Sequence, residues 1–197
     1  VTMNSTGTID TNGNAVSIAG PIGGAGGLTK NGTGTLTVSN TGNNYGGATT
    51  VNAGTLALGG SGGIPDGWAV ALSGTATLDL NGFSETIGSL TGASTNTVTS
   101  GAAGAVTLTT GGNNTSTTFA GVIENGLGTV SLVKEGGGTF TLTGTNTYSG
   151  TTTISAGVLN ANASAALGDG SAGNTRIFNG GTLQAGGAIS SPATRAV

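Results

Sequence analysis

One stretch of this chain occurs twice. Gly27-Leu28-Thr29-Lys30-Asn31-Gly32-Thr33-Gly34-Thr35-Leu36-Thr37-Val38 aligns without a break on Ser131-Leu132-Val133-Lys134-Glu135-Gly136-Gly137-Gly138-Thr139-Phe140-Thr141-Leu142. After a one-residue gap the match resumes, Asn44-Tyr45-Gly46-Gly47 through Leu56 on Thr147-Tyr148-Ser149-Gly150 through Leu159. Upstream, Ile18-Ala19-Gly20-Pro21-Ile22 parallels Phe119-Ala120-Gly121-Val122-Ile123, so two modules of roughly 40 residues span about 18–58 and 119–160. Self-similarity of this kind restricts the fold to architectures that add one structural unit after another. Apolar anchors at Val38, Leu58 and Leu78 recur about every 20 residues, the length of one coil of a parallel β-solenoid with two or three short strands.

The local pattern agrees. Leu36-Thr37-Val38, Val70-Ala71-Leu72, Leu78-Asp79-Leu80, Val106-Thr107-Leu108 and Phe140-Thr141-Leu142 alternate apolar and small residues at period two, the signature of short strands. Asn12-Gly13, Asn31-Gly32, Asn81-Gly82, Asn125-Gly126 and Asn179-Gly180 mark points where the backbone turns at low steric cost. No stretch keeps a helical period beyond a turn, so helix content is expected near zero. The expected fold is all-β: a right-handed parallel β-helix (β-solenoid) running through residues 1–197 as one segment. At about 4.8 Å of rise per coil it has roughly nine or ten coils and a length on the order of 45 Å. Its core is a narrow stack of Leu, Val, Ile and Phe, which is how a chain with 4% aromatic residues can fold. A β-sandwich and a disordered low-complexity stretch are the alternatives, the first disfavoured by the long-range duplication and the second by 35% hydrophobic residues with little charge.

Composition removes most chemistry. The chain has no Cys and no His, which excludes disulfides, thiolate or imidazole catalysis and zinc-finger or haem ligation. With four basic residues (Lys30, Lys134, Arg176, Arg195) and a net charge of -3 it cannot supply the phosphate contacts of a nucleic-acid binder. No apolar run reaches the length of a membrane span, so no membrane insertion by this segment is expected. The ends carry no evident start, cap or targeting signal, and the chain reads as a piece of a longer one.

The pattern from Leu28 to Val38, followed by Asn44 to Leu56, resembles the passenger-associated transport repeat of Gram-negative autotransporters, also called the autotransporter-associated β-strand repeat. The second copy, Leu132 to Leu159, is similar through Gly138-Thr139-Phe140-Thr141-Leu142-Thr143-Gly144 and Asn146-Thr147-Tyr148-Ser149-Gly150. The intervening Leu78-Asp79-Leu80-Asn81-Gly82 and Glu85-Thr86-Ile87-Gly88-Ser89-Leu90-Thr91-Gly92 resemble connecting segments of such passengers. The resemblance implies a right-handed parallel β-helix exported through the outer membrane to the cell surface or medium, joined to a cognate outer-membrane β-barrel in the parent chain, with a module that assists translocation. It carries no catalytic residues. The expected role is a stalk segment that folds progressively during export. An adhesin or self-associating module, forming filaments or biofilm or binding host or matrix glycans, is the alternative.

An enzyme is the less favoured reading, because β-helices also include polysaccharide-degrading enzymes. Glycoside hydrolysis needs two facing carboxylates, and the acids Asp10, Asp66, Asp79, Glu85, Glu124, Glu135 and Asp169 are scattered singly, with Asp79 and Glu85 the closest pair. No catalytic, cofactor-binding or metal residue is assigned, and no cofactor is expected. Lys30 and Lys134 are expected to be solvent-facing charges at turns that discourage edge pairing. The glycine runs 23–27, 59–63 and 136–138 lack the Lys-Ser/Thr and the helix of a phosphate loop and are read as turns. Tyr45 and Tyr148 are expected to pack. Trp68, in Ile64-Pro65-Asp66-Gly67-Trp68, is expected to close over the core, with a binding role on a protruding loop as the alternative. Sequons such as Asn4-Ser5-Thr6 and Asn162-Ala163-Ser164 follow from the composition.

Overall fold

A computed structural model describes residues 1–190. All inter-strand pairing within its sheets is parallel, and the strands have three to six residues each. One 3-10 turn, Ser164–Leu167, is the only helical element among the described residues. The strands stack as a solenoid of about nine turns with three walls.

The first wall runs Gly7–Asp10, Leu28–Asn31, Thr49–Val51, Ala69–Leu72 and Ser89–Thr91, and continues through Thr117–Phe119, Thr139–Leu142, Val158–Ala161 and Thr182–Ala185. A bridge between Gly92 and Phe119, with Ala120 N–H donating to Gly92 O, joins its two halves. The second wall holds Val16–Ile18, Thr35–Val38, Thr55–Leu58, Thr77–Asp79, Thr97–Ser100 and Val122–Gly126. The third wall holds Glu85–Ile87, Ala105–Thr110, Thr129–Lys134, Thr152–Ile154 and Arg176–Phe178.

Because side chains alternate across a strand, in-register pairing sends each residue type to one side of the wall for many coils. On the second wall Leu36, Leu56, Leu78, Val98 and Ile123 form one inward rank, while Thr35, Thr55, Thr77 and Thr97 form an outward one. The inward ranks make one continuous core in which Leu36, Leu56, Leu78, Leu108 and Leu132 are fully buried. Each residue of such a rank touches its neighbours above and below, so few large side chains suffice. Where the chain turns between walls it needs left-handed backbone. Gly54 and Gly157, equivalent in the two modules, have φ of 66° and 61°, and a Cβ on either would strike carbonyl oxygens of the preceding coil.

The two modules do not lie on the same walls. The strand carrying Lys30 is on the first wall and its counterpart carrying Lys134 is on the third. The next strand of each, Thr35–Val38 and Thr139–Leu142, is correspondingly on the second and the first. Over the intervening coils the sequence has advanced by a non-integral number of turns, so the second module is rotated by one wall. The stretch Asn43 to Tyr45 therefore closes the third wall, whereas Asn146 to Tyr148 closes the second.

Candidate functional site

The residues shared by both modules converge on the solenoid corners. Lys30 and Lys134 are inside, at 0% and 1% exposure, which corrects the expectation of solvent-facing charges. Leu28-Thr29-Lys30 alternates in-out-in, so the ammonium enters the core end-on beside the turn. There Lys30 Nζ donates to Asn31 O (3.1 Å) and Gly32 O (2.8 Å) of its own turn, to Ala53 O of the next coil (3.0 Å) and to Thr11 Oγ1 of the previous one (3.2 Å). Lys134 Nζ repeats the arrangement with Glu135 O (2.6 Å), Gly136 O (2.8 Å) and Ala156 O (3.3 Å). Desolvation pulls both ammonium groups below the ordinary lysine range, with Asp10 opposing at Lys30 and Glu135 opposing at Lys134. Each lysine is a clamp that gathers turn carbonyls from successive coils around one charge.

Asn43 and Asn146, which sequence reasoning passed over, form a second clamp. Asn43 Oδ1 accepts from Ile22 N (2.8 Å) one coil back, and its Nδ2 donates to Gly63 O (2.8 Å) one coil on. Asn146 does the same between Ile123 N (2.8 Å) and Ala166 O (2.6 Å). A side-chain amide here replaces a missing peptide group where the wall has no strand. Two residues on, the buried Tyr45 and Tyr148 hydroxyls pair with Thr49 Oγ1 (2.6 Å) and Thr152 Oγ1 (2.7 Å), so both tyrosines pack as expected. The signal that could have found the asparagines is Asn-x-Tyr, present in both copies.

The acids do not converge. Asp79 faces outward on the second wall, where its Oδ1 accepts from Asn81 N (2.8 Å) and Gly101 N (2.7 Å). Glu85 faces inward on the third wall at 2% exposure. Its Oε2 accepts from Gly62 N (3.0 Å) and Gly63 N (3.2 Å) and its Oε1 from Ile64 N (3.0 Å), which ties down the glycine-rich loop of the coil before. The closest acid pair in sequence is thus split across a wall, and among the described residues no group of three or more acids gathers to hold a metal ion. The three glycine runs are turns, with Gly24, Gly62 and Gly136 all at positive φ.

Burial pushes the Glu85 carboxyl up to about 7, nearby Asp66 adds to the rise, and the three N–H donors pull against it. The folded chain therefore holds this proton more tightly than an unfolded chain near 4.5. Its contribution to stability is full below that value and is lost as pH rises through about 7. Glu85→Gln is expected to flatten this pH dependence, read as the change in denaturation midpoint of wild type minus variant between about pH 5 and 8. Parallel curves for the two chains would contradict the assignment.

Of the basic residues, Lys30, Lys134 and Arg176 are buried and Arg195 lies outside the described residues. Among the described residues no helix is long and apolar enough to cross a membrane. Trp68 leaves 43% of its surface exposed and does not close over the core.

A family model described as passenger-associated-transport-repeat matches residues 28–58 and 132–161, the stretches that carry both lysine and both asparagine clamps. The chain is 42% identical over 147 residues to the adhesin BmaC autotransporter of Brucella suis biovar 1 (strain 1330). That alignment covers 73% of this chain and 4% of the relative's length. No solved structure matches. A three-walled parallel solenoid, duplicated clamps that coincide with the matched repeats, and extended identity to an autotransporter together make this chain a segment of an autotransporter passenger, surface-exposed or secreted, built around passenger-associated transport repeats.

Proposed function

We propose that the chain is one continuous stalk segment whose role is mechanical and non-catalytic, and that its coils fold one upon another as the passenger leaves the cell. The observation that carries this reading is the locality of the pairing. Each strand bonds to the coil before and the coil after, as Leu36 does to Val16 and Leu56; the clamps of Lys30, Asn43 and Asn146 reach one coil in either direction, and that of Lys134 reaches one coil on. A coil therefore has a complete template once its predecessor is in place, and ordering it costs little loop entropy. Progressive ordering outside the membrane biases an exported chain against sliding back. The parent chain's outer-membrane β-barrel is the partner this reading requires.

The test is hydrogen exchange of the whole chain in increasing denaturant. Stepwise opening of groups of neighbouring coils, each with its own free energy, is the expected result. A single opening event shared by all amides would overturn it. The adhesive alternative is favoured by one observation, that the autotransporter matched over 147 residues is named an adhesin.

A further inference from the structure

We propose that the loop Ile64–Trp68 is a carbohydrate-binding platform, with the Trp68 indole stacking on the apolar face of a neutral sugar ring. This gives residues to the adhesive reading and rests on it.

The loop is held at both ends. At its start, Ile64 is fully buried, the Glu85 carboxyl accepts from the N–H groups of Gly62, Gly63 and Ile64, and Asn43 Nδ2 donates to Gly63 O. At its end, Trp68 N–H donates to Pro65 O (3.3 Å) and Gly88 N–H to Trp68 O (2.8 Å). Burying a carboxylate in a narrow apolar core is expensive. Here the Glu85 carboxyl fixes the glycines that lead into an exposed aromatic, so the backbone below the ring is held in one place.

The surroundings of the ring select the ligand. Thr49 pairs with Val70 and Ser89 with Ala69, so extending those registers places Gly47 and Gly88 beside Trp68 on the coils before and after. Gly67 has open space where a side chain would be. Glycines thus precede Trp68 in its own loop and flank it on the coils before and after, so none of these three neighbours places a side chain over the ring. A protein hot spot gathers several apolar groups, whereas the other exposed large apolar residues among those described are Val1, Phe83, Leu127, Ile177 and Phe178, none within this loop. A pyranose matches one aromatic face through its C–H groups and turns its hydroxyls outward to water and polar neighbours. Asp66, exposed two residues away, and the net charge of -3 disfavour acidic sugars.

Trp68 is the sole Trp, so its emission reports binding directly. The whole chain is titrated with maltohexaose, mannotriose and chitotetraose, and with a galacturonate oligomer as the acidic control. A saturable blue shift and intensity change with at least one neutral sugar, and none with the acidic one, is expected. Calorimetry with the same sugar is expected to show binding about tenfold weaker or lost in Trp68→Ala and partly retained in Trp68→Phe, with both variants keeping the wild-type denaturation midpoint. Silence with all neutral sugars, or affinity unchanged in Trp68→Ala, overturns the proposal. Beads coated with the chain separate this from the adhesive reading: attachment to extracellular matrix that persists in Trp68→Ala sinks the sugar platform alone, and no attachment by wild type sinks both.

Discussion

Lys134→Met is expected to destabilise the coils around the second module by about 3 kcal/mol. Methionine fills the volume of the lysine stem, so the core packing is kept and no large cavity opens. What goes is the ammonium and its bonds to Glu135 O, Gly136 O and Ala156 O, two carbonyls of one turn and one of the next coil. Bonds from a charged donor are worth about 1.5–3 kcal/mol each. The ammonium's own desolvation, visible in its lowered pKa, offsets part of that sum. The net effect is local because the bonds are local. Amides of Thr129–Lys134 and Thr152–Ile154 should exchange faster, and those of Leu28–Asn31 and Thr49–Val51 should keep their protection. Lys30→Met should invert the pattern. Unchanged exchange in both variants would mean that the buried charges add nothing net to the stacking.

Asn146→Leu should cost a similar amount, about 3 kcal/mol, by a different route. Leucine suits the burial of this position but leaves Ile123 N–H, at the last strand of the second wall, without its acceptor and Ala166 C=O, in the 3-10 turn, without its donor, and the coil of Asn146 offers neither a strand on that wall to replace it. Each such orphan costs about 1–3 kcal/mol. The expected readout is a lower denaturation midpoint with exchange accelerated at Ile123 and in Ser164–Leu167, the two ends of the lost bridge. If only one end responds, the other carbonyl or amide has found a new partner and the bridge is not the unit described.

Much of this was legible in the sequence. The duplicated block and the alternation of Leu36-Thr37-Val38 and Phe140-Thr141-Leu142 are direct consequences of in-register stacking, since a coil that pairs with its neighbours must repeat their in-and-out pattern. The lysines were misjudged through a prior on charge, although the same alternation placed them correctly: Leu132-Val133-Lys134 puts Lys134 on the side of Leu132, and Glu85-Thr86-Ile87 puts Glu85 on the side of Ile87. Period two outranked polarity because the turn carbonyls and loop amides supply what water otherwise would. The asparagine clamps were harder to see, because their partners lie about 20 residues away in both directions and loop composition carries no trace of that distance.

The one-wall offset between the modules gives the shaft a spiral design. Were the same spacing kept for further copies, a third lysine would face the remaining side and a fourth would return above the first, like steps round a newel post. Reinforcement would then be shared evenly by all three sides, and a long shaft built this way would resist bending equally in every direction.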